Sequence, residues 1–355
     1  MTAVVTRELG SCAVEDLDLV PPGQTDVVVR IEASGICHSD VSVLTGVLPH
    51  PLPVVLGHEG AGEVVEVGAD VTAVRPGDRV VLSAIPTCGH CYFCARGEPF
   101  LCAHSDDIRR AGFTDGGATT ISGAAGLGTF SDAVVVSELA AVPVRSDLPA
   151  EQLALLGCAV VTGAGAAINL ASIRPGGSVV VIGAGGIGLC ALQGARLQGA
   201  LPLIAVDPVA ASRELAEACG ATHTFDPHHD DVVAAAYELT AGIGVDSVID
   251  CVGTAATLDQ AWALSRRGGT IVEVGVPGRS VPVSIPLVEI PLSGRRLVGC
   301  AYGGSSVFRD VPRYVALAET GRMDFGILLG QRVGLAEVPA LLGSPLGAGR
   351  TVIVP

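Results

Sequence analysis

A glycine-rich segment between two apolar runs is the feature that most constrains the fold of this chain. Residues 178–182 form a run of mostly β-branched residues typical of a buried strand, and they lead into Gly183-Ala184-Gly185-Gly186-Ile187-Gly188. Asp207 closes the next apolar run, 19 residues after Gly188. A strand, a G-x-G-x-x-G turn, a helix and an acidic residue at this distance predict a dinucleotide-binding βαβ unit.

Each position of this motif has its own physical role. We expect Gly183 to permit a sharp turn, Gly185 to let the backbone approach a pyrophosphate, and Gly188 to let the helix pack against the sheet. The pyrophosphate would lie at the helix N-terminus, where free N–H groups favour negative charge. The Asp207 carboxylate can accept from both ribose hydroxyls and would repel a 2′-phosphate, so the motif favours NAD over NADP.

Length and composition limit the classes of function. A chain of 355 residues suggests two domains. Its 49% hydrophobic and 16% charged residues are typical of a globular rather than a disordered protein. The net charge of −15 argues against nucleic acid or an anionic membrane surface as a partner. All 21 basic residues are arginine, which excludes Schiff-base chemistry by lysine.

Two apolar windows, residues 153–173 and 175–195, are long enough to mimic membrane helices. Both are rich in glycine and the second contains the strand–turn–helix motif, so a buried α/β core is the better interpretation. Arg7 and Glu8 interrupt any early apolar run, so we expect no signal peptide and a cytoplasmic protein. Eleven cysteines in such a chain indicate metal ligands and buried thiols rather than disulfides.

Four of the cysteines form the strongest metal-binding signal. Cys88, Cys91, Cys94 and Cys102 have the spacing C-x2-C-x2-C-x7-C. Four thiolates at this spacing can surround one Zn²⁺ tetrahedrally and close its coordination shell, which predicts a structural site. An iron–sulfur cluster is the alternative, although nothing else in the sequence indicates electron transfer. The nearby histidines are expected to lie in solvent without a role: His90 and His104.

The arrangement of apolar runs predicts two parts of different character. The first part reads as short strands, with a turn at residues 76–78 and a long polar loop over residues 103–130; its clearest strands are residues 27–31, 63–67, 79–82 and 130–136. From residue 178 strands and helices alternate, which predicts a parallel sheet with helices on both faces. The predicted strands after the first are residues 203–206, 222–225, 247–250 and 270–274, and the predicted helices lie near residues 211–219, 232–240 and 256–265. A helix near residues 308–320 and a strand over residues 351–354 end the chain.

Together these motifs resemble the zinc-containing medium-chain alcohol dehydrogenases over nearly the whole chain. The resemblance rests on the signature Gly57-His58-Glu59-Gly60-x-Gly62, on Cys37 placed 21 residues before His58, on Gly157-Cys158 followed by Thr162-Gly163, on the four-cysteine segment and on the nucleotide motif. It implies an α/β protein with a GroES-like, mostly-β catalytic domain and an inserted Rossmann domain built on a doubly wound parallel sheet. The implied boundaries are residues 1–159 and 302–355 for the catalytic domain, with the zinc lobe at 88–102, and residues 160–301 for the NAD-binding domain.

The resemblance also implies the catalytic groups. Cys37, His58 and Cys158 are expected to bind a catalytic zinc whose fourth position stays open to water or substrate oxygen. This zinc would lower the pKa of an alcohol, and a hydride would pass to NAD. Asp40 is expected to accept the second ring N–H of His58, and Glu59 to tune the field of the metal. The implied cofactors are therefore two zinc ions per chain and NAD.

Proton transfer and cofactor contacts follow from the same resemblance. Ser39 is the candidate proton relay. The family usually has a histidine three residues further on, where this chain has Ser42, so the alternatives for the end of the relay are water, His38 and His50. His38 is also a candidate for contact with the pyrophosphate. The implied cofactor-binding set is His38, Thr162, Gly183, Gly185, Gly186, Ile187, Gly188, Asp207, Val274, Val276 and Arg350.

The substrate pocket is expected to be wide and apolar, because alanines stand where the family often has bulkier side chains. The candidate lining residues are Leu48, Ala84, Ala124, Ala125, Val276 and Ala301. This set predicts a bulky primary or secondary alcohol, or the matching aldehyde or ketone, as the substrate. The alternative is that the alanines only pack, with the width of the pocket set elsewhere.

Other functions stay open at this point. A thiol-dependent formaldehyde dehydrogenase would need a polar or charged entrance, against which the alanines argue. A reductase of C=C or C=N bonds would commonly lack the hydroxyl at Ser39. A non-catalytic protein that binds zinc and a nucleotide is the alternative from another class. The long loop over residues 103–130 resembles that of the dimeric family members and predicts a homodimer.

Overall fold

The chain divides into two compact units. The computed structural model describes residues 1–110, 112–117, 119–278, 281–344 and 346–355. The first unit comprises Met1–Ala159, Ser306–Gly321 and Leu329–Pro355, and the second comprises Val160–Ser305 and Arg322–Leu328. The predicted division differs from this one in two places, since the chain returns to the first unit at Ser306 rather than at residue 302, and Arg322–Leu328 belongs to the second unit.

The strands, in chain order, are β1 (Thr2–Glu8), β2 (Ser11–Asp16), β3 (Asp18–Leu19), β4 (Asp26–Gly35), β5 (Val54–Val55), β6 (Gly60–Val67), β7 (Arg79–Leu82), β8 (Phe113–Thr114), β9 (Thr120–Gly123), β10 (Ala133–Ser137), β11 (Ala141–Pro143), β12 (Val179–Ile182), β13 (Leu203–Val206), β14 (His223–Phe225), β15 (Val245–Asp250), β16 (Ser265–Glu273), β17 (Arg296–Gly299), β18 (Leu329–Val333) and β19 (Arg350–Ile353).

The helices are α1 (His38–Leu44), α2 (Tyr92–Ala95), α3 (Ser105–Ile108), α4 (Ala150–Ala154), α5 (Ala159–Gly165), α6 (Gly186–Leu197), α7 (Ala210–Ala218), α8 (Val232–Leu239), α9 (Ala255–Leu264), α10 (Glu289–Ser293), α11 (Val307–Glu319) and α12 (Val338–Leu342). The predicted helices agree with α7, α8, α9 and α11 to within one or two residues at each end.

Two sheets form the first unit. One has the order β2-β1-β5-β9-β8-β3, and the other has the order β11-β7-β6-β4-β19-β18 with β10 also paired to β4. β6 runs antiparallel along one edge of β4, while β10 and then β19 pair with it along the other edge. Both edges of β4 are therefore paired, and nearly all of its residues are buried. The chain leaves this fixed strand at Gly35, directly before Cys37.

The prediction of a single long loop over residues 103–130 is wrong in part. α3, β8 and β9 lie within this stretch, and β8 pairs antiparallel with β9. Phe113 and Ile121 face each other in that pair and are fully buried. A few apolar side chains thus anchor a segment whose composition is mostly polar, and the predicted strand over residues 130–136 begins later, at Ala133.

The second unit is built on one parallel sheet with the order β14-β13-β12-β15-β16-β17. Numbered within the unit this order is 3-2-1-4-5-6, the order of the Rossmann dinucleotide-binding fold. Every residue of β12 is buried, as expected for a central strand covered on both faces. The predicted fold class, a parallel α/β unit beside a mostly-β unit, is confirmed, although β17 was not predicted.

The two apolar windows are divided among several short elements in the structure. In the described part of the chain, no single helix is long and apolar enough to cross a membrane. One bent pair of short helices, Ala150–Gly157 and Ala159–Leu170, meets the length and composition criteria together. Most of its residues are buried, and the second window contains β12 and most of α6.

The turn between β12 and α6 needs glycine at two positions for different reasons. Gly183 has a φ of 86°, which residues with a side chain rarely adopt. At Gly188 a Cβ would overlap the carbonyl oxygen of Gly183, so α6 can pack on the turn only without a side chain there. At Gly185, by contrast, a Cβ would meet nothing within 4 Å. The backbone at Gly185 is therefore open to an approaching ligand.

We expect Gly188→Ala to lower the free energy of unfolding by about 1–3 kcal/mol, because overpacking forces the backbone to shift. Urea denaturation followed by circular dichroism measures the change. The control is Gly278→Ala, where the added methyl group enters open space; its effect should stay within about 0.5 kcal/mol. Equal destabilisation by the two substitutions would contradict the close packing of α6 on the turn.

Candidate active site

Three donor side chains converge in the first unit. The sulfurs of Cys37 and Cys158 and a ring nitrogen of His58 lie within 4.8 Å of one another, and all three residues are buried. Two thiols and an imidazole at this separation form a donor set that Zn²⁺ takes in tetrahedral geometry, and three protein ligands leave one position open. The residues that the sequence singled out for a catalytic zinc therefore lie together and fit that ion.

Paired strands bring two of these ligands together. Ser34, next to the end of β4, is paired with Gly60 at the start of β6. Cys37 follows the end of β4 and is the N-cap residue of α1, while His58 directly precedes β6. Since both ligands lie just beyond the same paired ends, the ladder between β4 and β6 fixes their separation.

Asp40 holds Cys37 and His58 in place through hydrogen bonds. Its side chain is fully buried, and its Oδ1 lies 2.9 Å from Nδ1 of His58. Oδ2 accepts a hydrogen bond from the backbone N–H of Cys37 at 2.9 Å, and Oδ1 also accepts from Gly57 N–H at 3.2 Å. Because Nδ1 of His58 donates to the carboxylate, Nε2 carries the lone pair that a metal requires.

Glu59 connects His58 to the third ligand. It is fully buried, and its Oε1 accepts from the backbone N–H of Ala159 at 2.8 Å, next to Cys158. The close approach needs Gly35, because a Cβ there would overlap the Glu59 carboxylate. Burial raises the pKa of Glu59 to about 7, although the charge of Arg350 opposes the rise. Sequence analysis did not identify this link, and the glycine at position 35 was the only local signal for it.

Arg350 is the cation of the site. Its side chain is buried, with Nε 3.2 Å from Glu59 Oε2 and Nη1 donating to the carbonyl oxygen of Ile36 at 3.1 Å. It therefore joins β19 to the segment that carries Cys37. The contact with a pyrophosphate that the resemblance implies for Arg350 stays a prediction.

The charges of the donor set favour a cation. The hydrogen bond from Cys158 lowers the pKa of the Cys37 thiol well below its usual value, while the same bond and burial raise the pKa of Cys158. Burial lowers the pKa of His58, but Asp40 and Cys37 together outweigh it and leave this pKa well above its usual value. These shifts favour the thiolate form at Cys37 and the protonated form of His58, so Zn²⁺ would compete with protons for the donor atoms.

The four cysteines of the zinc lobe form a second donor set in the first unit. The sulfurs of Cys88, Cys91, Cys94 and Cys102 lie within 4.8 Å of one another. The backbone N–H of Cys88 donates to the Cys102 sulfur at 3.3 Å, and that of Cys91 donates to the Cys88 sulfur at 3.4 Å. Backbone hydrogen bonds lower the pKa of Cys91 to about 6. N–H groups aimed at sulfur stabilise thiolates, so this set fits a zinc ion with a closed shell.

The nucleotide motif lies in the second unit with the geometry that the sequence predicted. Gly185 is the N-cap of the 12-residue helix α6, whose first turn can face an anion. Asp207, at the end of β13, accepts from the backbone N–H of Ala184 through Oδ2 and from that of Val209 through Oδ1, each at 2.8 Å. Each carboxylate oxygen can accept a further hydrogen bond, so Asp207 keeps the capacity to bind ribose hydroxyls.

The remaining candidates lie on the elements around these centres. In the first turn of α1, His38 is exposed and Ser39 is half-buried. In the second unit Thr162 on α5 and Val274 after β16 are buried, Ile187 is half-buried at the start of α6, and Val276 is 60% exposed. Their roles in proton transfer and cofactor binding stay predictions.

The pocket candidates differ in their surroundings. Ala84 is buried. Ala124 packs in the hydrophobic core of the first unit with Val54 and Phe130, so its methyl group serves packing, as the alternative interpretation holds. Ala125 is half-buried with a φ of 54°. Two further candidates are half-buried: Leu48 and Ala301.

We expect Cys94→Ser to remove the lobe zinc, because a hydroxyl is a far weaker zinc ligand than a thiolate. Zinc content measured by inductively coupled plasma mass spectrometry should fall from two ions per chain to one. Cys12→Ser is the matched control, since Cys12 belongs to neither donor set, and it should retain both ions. An unchanged zinc content in Cys94→Ser would contradict the assignment of the lobe.

Asp40→Asn tests the role of the carboxylate that is hydrogen-bonded to His58. The amide cannot supply the same negative charge to the His58 ring N–H, so we expect zinc at the three-residue site to bind roughly 10- to 100-fold more weakly. Competition with a chromophoric chelator measures the affinity. The control Asp70→Asn changes an exposed carboxylate and should leave it unaltered. A normal affinity in Asp40→Asn would show that the hydrogen bond does not support the metal.

Comparison with known proteins agrees with this geometry. The family model "Alcohol dehydrogenase GroES-like domain" matches residues 23–146, and the model "Zinc-binding dehydrogenase" matches residues 186–319. Geraniol dehydrogenase of Castellaniella defragrans is 38% identical over 338 residues, which is 92% of this chain and 90% of that protein. S-(hydroxymethyl)glutathione dehydrogenase of Synechocystis is 36% identical over 347 residues, which is 95% of this chain and 94% of that protein.

Among solved structures, benzyl alcohol dehydrogenase from Acinetobacter calcoaceticus superposes with a TM-score of 0.92 at 32% identity, covering 99% of this chain and 98% of that chain. These relatives are more than 30% identical to the chain over nearly its full length. The structure also has both zinc-type donor sets and the Rossmann strand order. The chain therefore belongs to the zinc- and NAD-dependent alcohol dehydrogenase family of the medium-chain dehydrogenases and reductases.

Proposed function

We propose that the chain interconverts a bulky, apolar alcohol and its aldehyde or ketone, with NAD as the hydride acceptor. The observation that carries this proposal is the buried set of Cys37, His58 and Cys158, whose donor atoms lie within 4.8 Å of one another and leave one position of a tetrahedral ion open. These three residues would hold a zinc ion, which would supply Lewis-acid polarisation of a substrate oxygen, and bound NAD would supply the hydride acceptor.

The residues of the chain prepare this chemistry. Asp40 keeps the Nδ1 proton on His58 and so keeps Nε2 available. Ser39 lies two residues after Cys37 in the first turn of α1, and its hydroxyl can pass the alcohol proton outward. His38 is its exposed neighbour, which makes an exit to solvent through His38 or water the simplest end of the relay in a chain with Ser42 at the usual histidine position.

The choice of NAD over NADP rests on Asp207. Its carboxylate lies beside the glycine turn, held by the N–H groups of Ala184 and Val209. A 2′-phosphate at this point would meet a fixed negative charge, whereas two ribose hydroxyls can donate to it. A higher kcat/KM with NAD than with NADP is the expected consequence.

The preference for bulky alcohols rests on small side chains and on the relatives. By the family resemblance, Ala84 and Ala125 stand where bulkier side chains are common, and Ala301 is also small, so these residues are expected to leave room for a bulky substrate. Two similar proteins act, by their names, on geraniol and on benzyl alcohol. The alternative, oxidation of the thiol adduct of formaldehyde, is supported by the name of the Synechocystis relative, and it calls for charged groups at the entrance.

A substrate panel with the zinc-loaded enzyme tests the proposal. We expect kcat/KM with NAD to be higher for benzylic, allylic and terpenoid alcohols than for ethanol, and Ser39→Ala to lower kcat/KM roughly 100- to 10,000-fold while Ser39→Thr retains most of it. Faster oxidation of formaldehyde in the presence of a small thiol would favour the alternative. A preference for ethanol would overturn the wide pocket.

We also propose that the protein is a homodimer that pairs through the second unit. β17 is an edge strand of the parallel sheet and is largely exposed. Exposed apolar side chains lie in β17 and in the segment that precedes it: Leu287, Val288, Leu292 and Leu297. Uncovered strand edges and contiguous apolar patches on a surface are typical sites of association. A second copy pairing edge to edge would cover both features.

Leu297→Glu places a charge at the centre of this edge, so we expect it to convert a dimer into a monomer in size-exclusion chromatography with multi-angle light scattering. Leu201→Glu is the matched control, because Leu201 is exposed and apolar but precedes β13, away from the edge strand. It should remain dimeric. A wild-type protein of any other oligomeric state, or a dimeric Leu297→Glu, would contradict the proposal.

The cysteines support a reducing compartment. Six of the eleven belong to the two zinc-type donor sets, and all eleven are free thiols. Clusters of free thiols persist where disulfides do not form. We therefore infer that the enzyme works in the cytoplasm.

A further inference from the structure

We propose that His90 and His104 form an additional, exposed site for a divalent transition-metal ion, next to the four-cysteine lobe. Their ring centroids lie 6.0 Å apart with an angle of 25° between the planes, and both residues are exposed. From the sequence alone, neither histidine was expected to have a function. The site is distinct from both zinc-type donor sets, which use other residues.

Both rings are held in the tautomer that a metal ion needs. Nδ1 of His90 is 2.8 Å from the backbone carbonyl oxygen of Cys88. Nδ1 of His104 is 3.1 Å from a carboxylate oxygen of Asp107. A carbonyl or an ionised carboxylate oxygen can only accept, so each Nδ1 carries the hydrogen and each Nε2 carries the lone pair in the neutral ring. Metal-binding histidines typically give their second N–H to a carbonyl or a carboxylate in this way.

The separation of the rings suits a shared ion. With metal–nitrogen bonds of about 2.0 Å, two imidazoles on one tetrahedral ion have centroids roughly 5 Å apart. The observed centroid distance is 6.0 Å, and the ring planes are 25° apart. For one ion to lie in the plane of both rings, the two exposed side chains must turn about χ1 and χ2, and χ2 is a broad torsion in histidine. This adjustment involves the side chains and can leave the main chain in place.

The backbone around the pair is already fixed. His90 lies between Cys88 and Cys91, and His104 follows Cys102 by two residues, so a zinc-filled lobe holds both main-chain segments in place. Asp107 adds a negative charge beside His104 and is itself 79% exposed. Two imidazoles with water ligands suit Zn²⁺, Ni²⁺ or Cu²⁺. The open coordination shell makes this ion exchangeable, unlike one enclosed by four thiolates.

The test uses Ni²⁺ with the untagged, zinc-loaded protein. Isothermal titration calorimetry should detect binding of one Ni²⁺ per chain, while mass spectrometry confirms that both zinc ions are retained. His90→Asn and His104→Asn should each weaken Ni²⁺ binding at least tenfold. Absence of Ni²⁺ binding, or binding that persists in both variants, would overturn the proposal. Two variants are used so that a loss of zinc from one of them still leaves an informative measurement.

Matched controls separate this site from general surface binding. His228→Asn changes an exposed histidine elsewhere, and it should leave Ni²⁺ affinity unchanged. Loss of Ni²⁺ binding in this variant would show that the ion binds at His228 and would contradict the proposal. Asp107→Asn and Asp106→Asn remove the same charge from α3, but only Asp107 contacts His104, since Asp106 pairs with Arg109. A larger loss of affinity in Asp107→Asn is expected, and equal losses would contradict the positioning role of Asp107.

Discussion

The buried carboxylate of Asp40 is the group on which the geometry of the active site depends. It accepts hydrogen bonds from the Cys37 backbone, from the Gly57 backbone and from the His58 ring. Burying a carboxylate costs several kcal/mol, and hydrogen bonds to a charged group recover about 1.5–3 kcal/mol each. Three such bonds balance the cost only when the start of α1 and the turn before β6 are correctly placed. The carboxylate therefore selects the backbone geometry that a metal needs.

A second buried carboxylate, that of Glu59, positions the third ligand, Cys158. Through Oε1, Glu59 holds the backbone beside Cys158, 100 residues further along the chain. The two acids thus join three distant segments by hydrogen bonds to backbone groups as well as to side chains.

The turn of the nucleotide motif is held in a different way. There the backbone itself is shaped by glycine at positions 183 and 188, and Asp207 caps two backbone N–H groups.

The features that sequence predicted well are local ones. The glycine turn, the four-cysteine spacing and the alternation of strands and helices each lie within a short stretch, so a pattern of residue types carries their geometry. The contact of Glu59 with Ala159 and the pair with Arg350 could not be predicted, because they join segments that only the folded β4–β6–β19 sheet brings together. Phe113 and Ile121 show the same limit within a polar stretch, since their pairing depends on register rather than on composition. Ala124 stands where the family often has a bulkier side chain, so the sequence alone fits either a pocket or a core position. The packing around Ala124 favours the core.

Arg350 illustrates why a chain without lysine can still balance these buried acids. Its guanidinium reaches the Ile36 carbonyl and the Glu59 carboxylate at once, from different nitrogens. A planar fork with several fixed donors does this more readily than the single ammonium of lysine, which is more strongly hydrated and loses its charge more easily on burial. One such cation beside two carboxylates and two cysteine thiols leaves the buried site short of positive charge. The deficit favours retention of a divalent metal, whose charge would then offset the two acids.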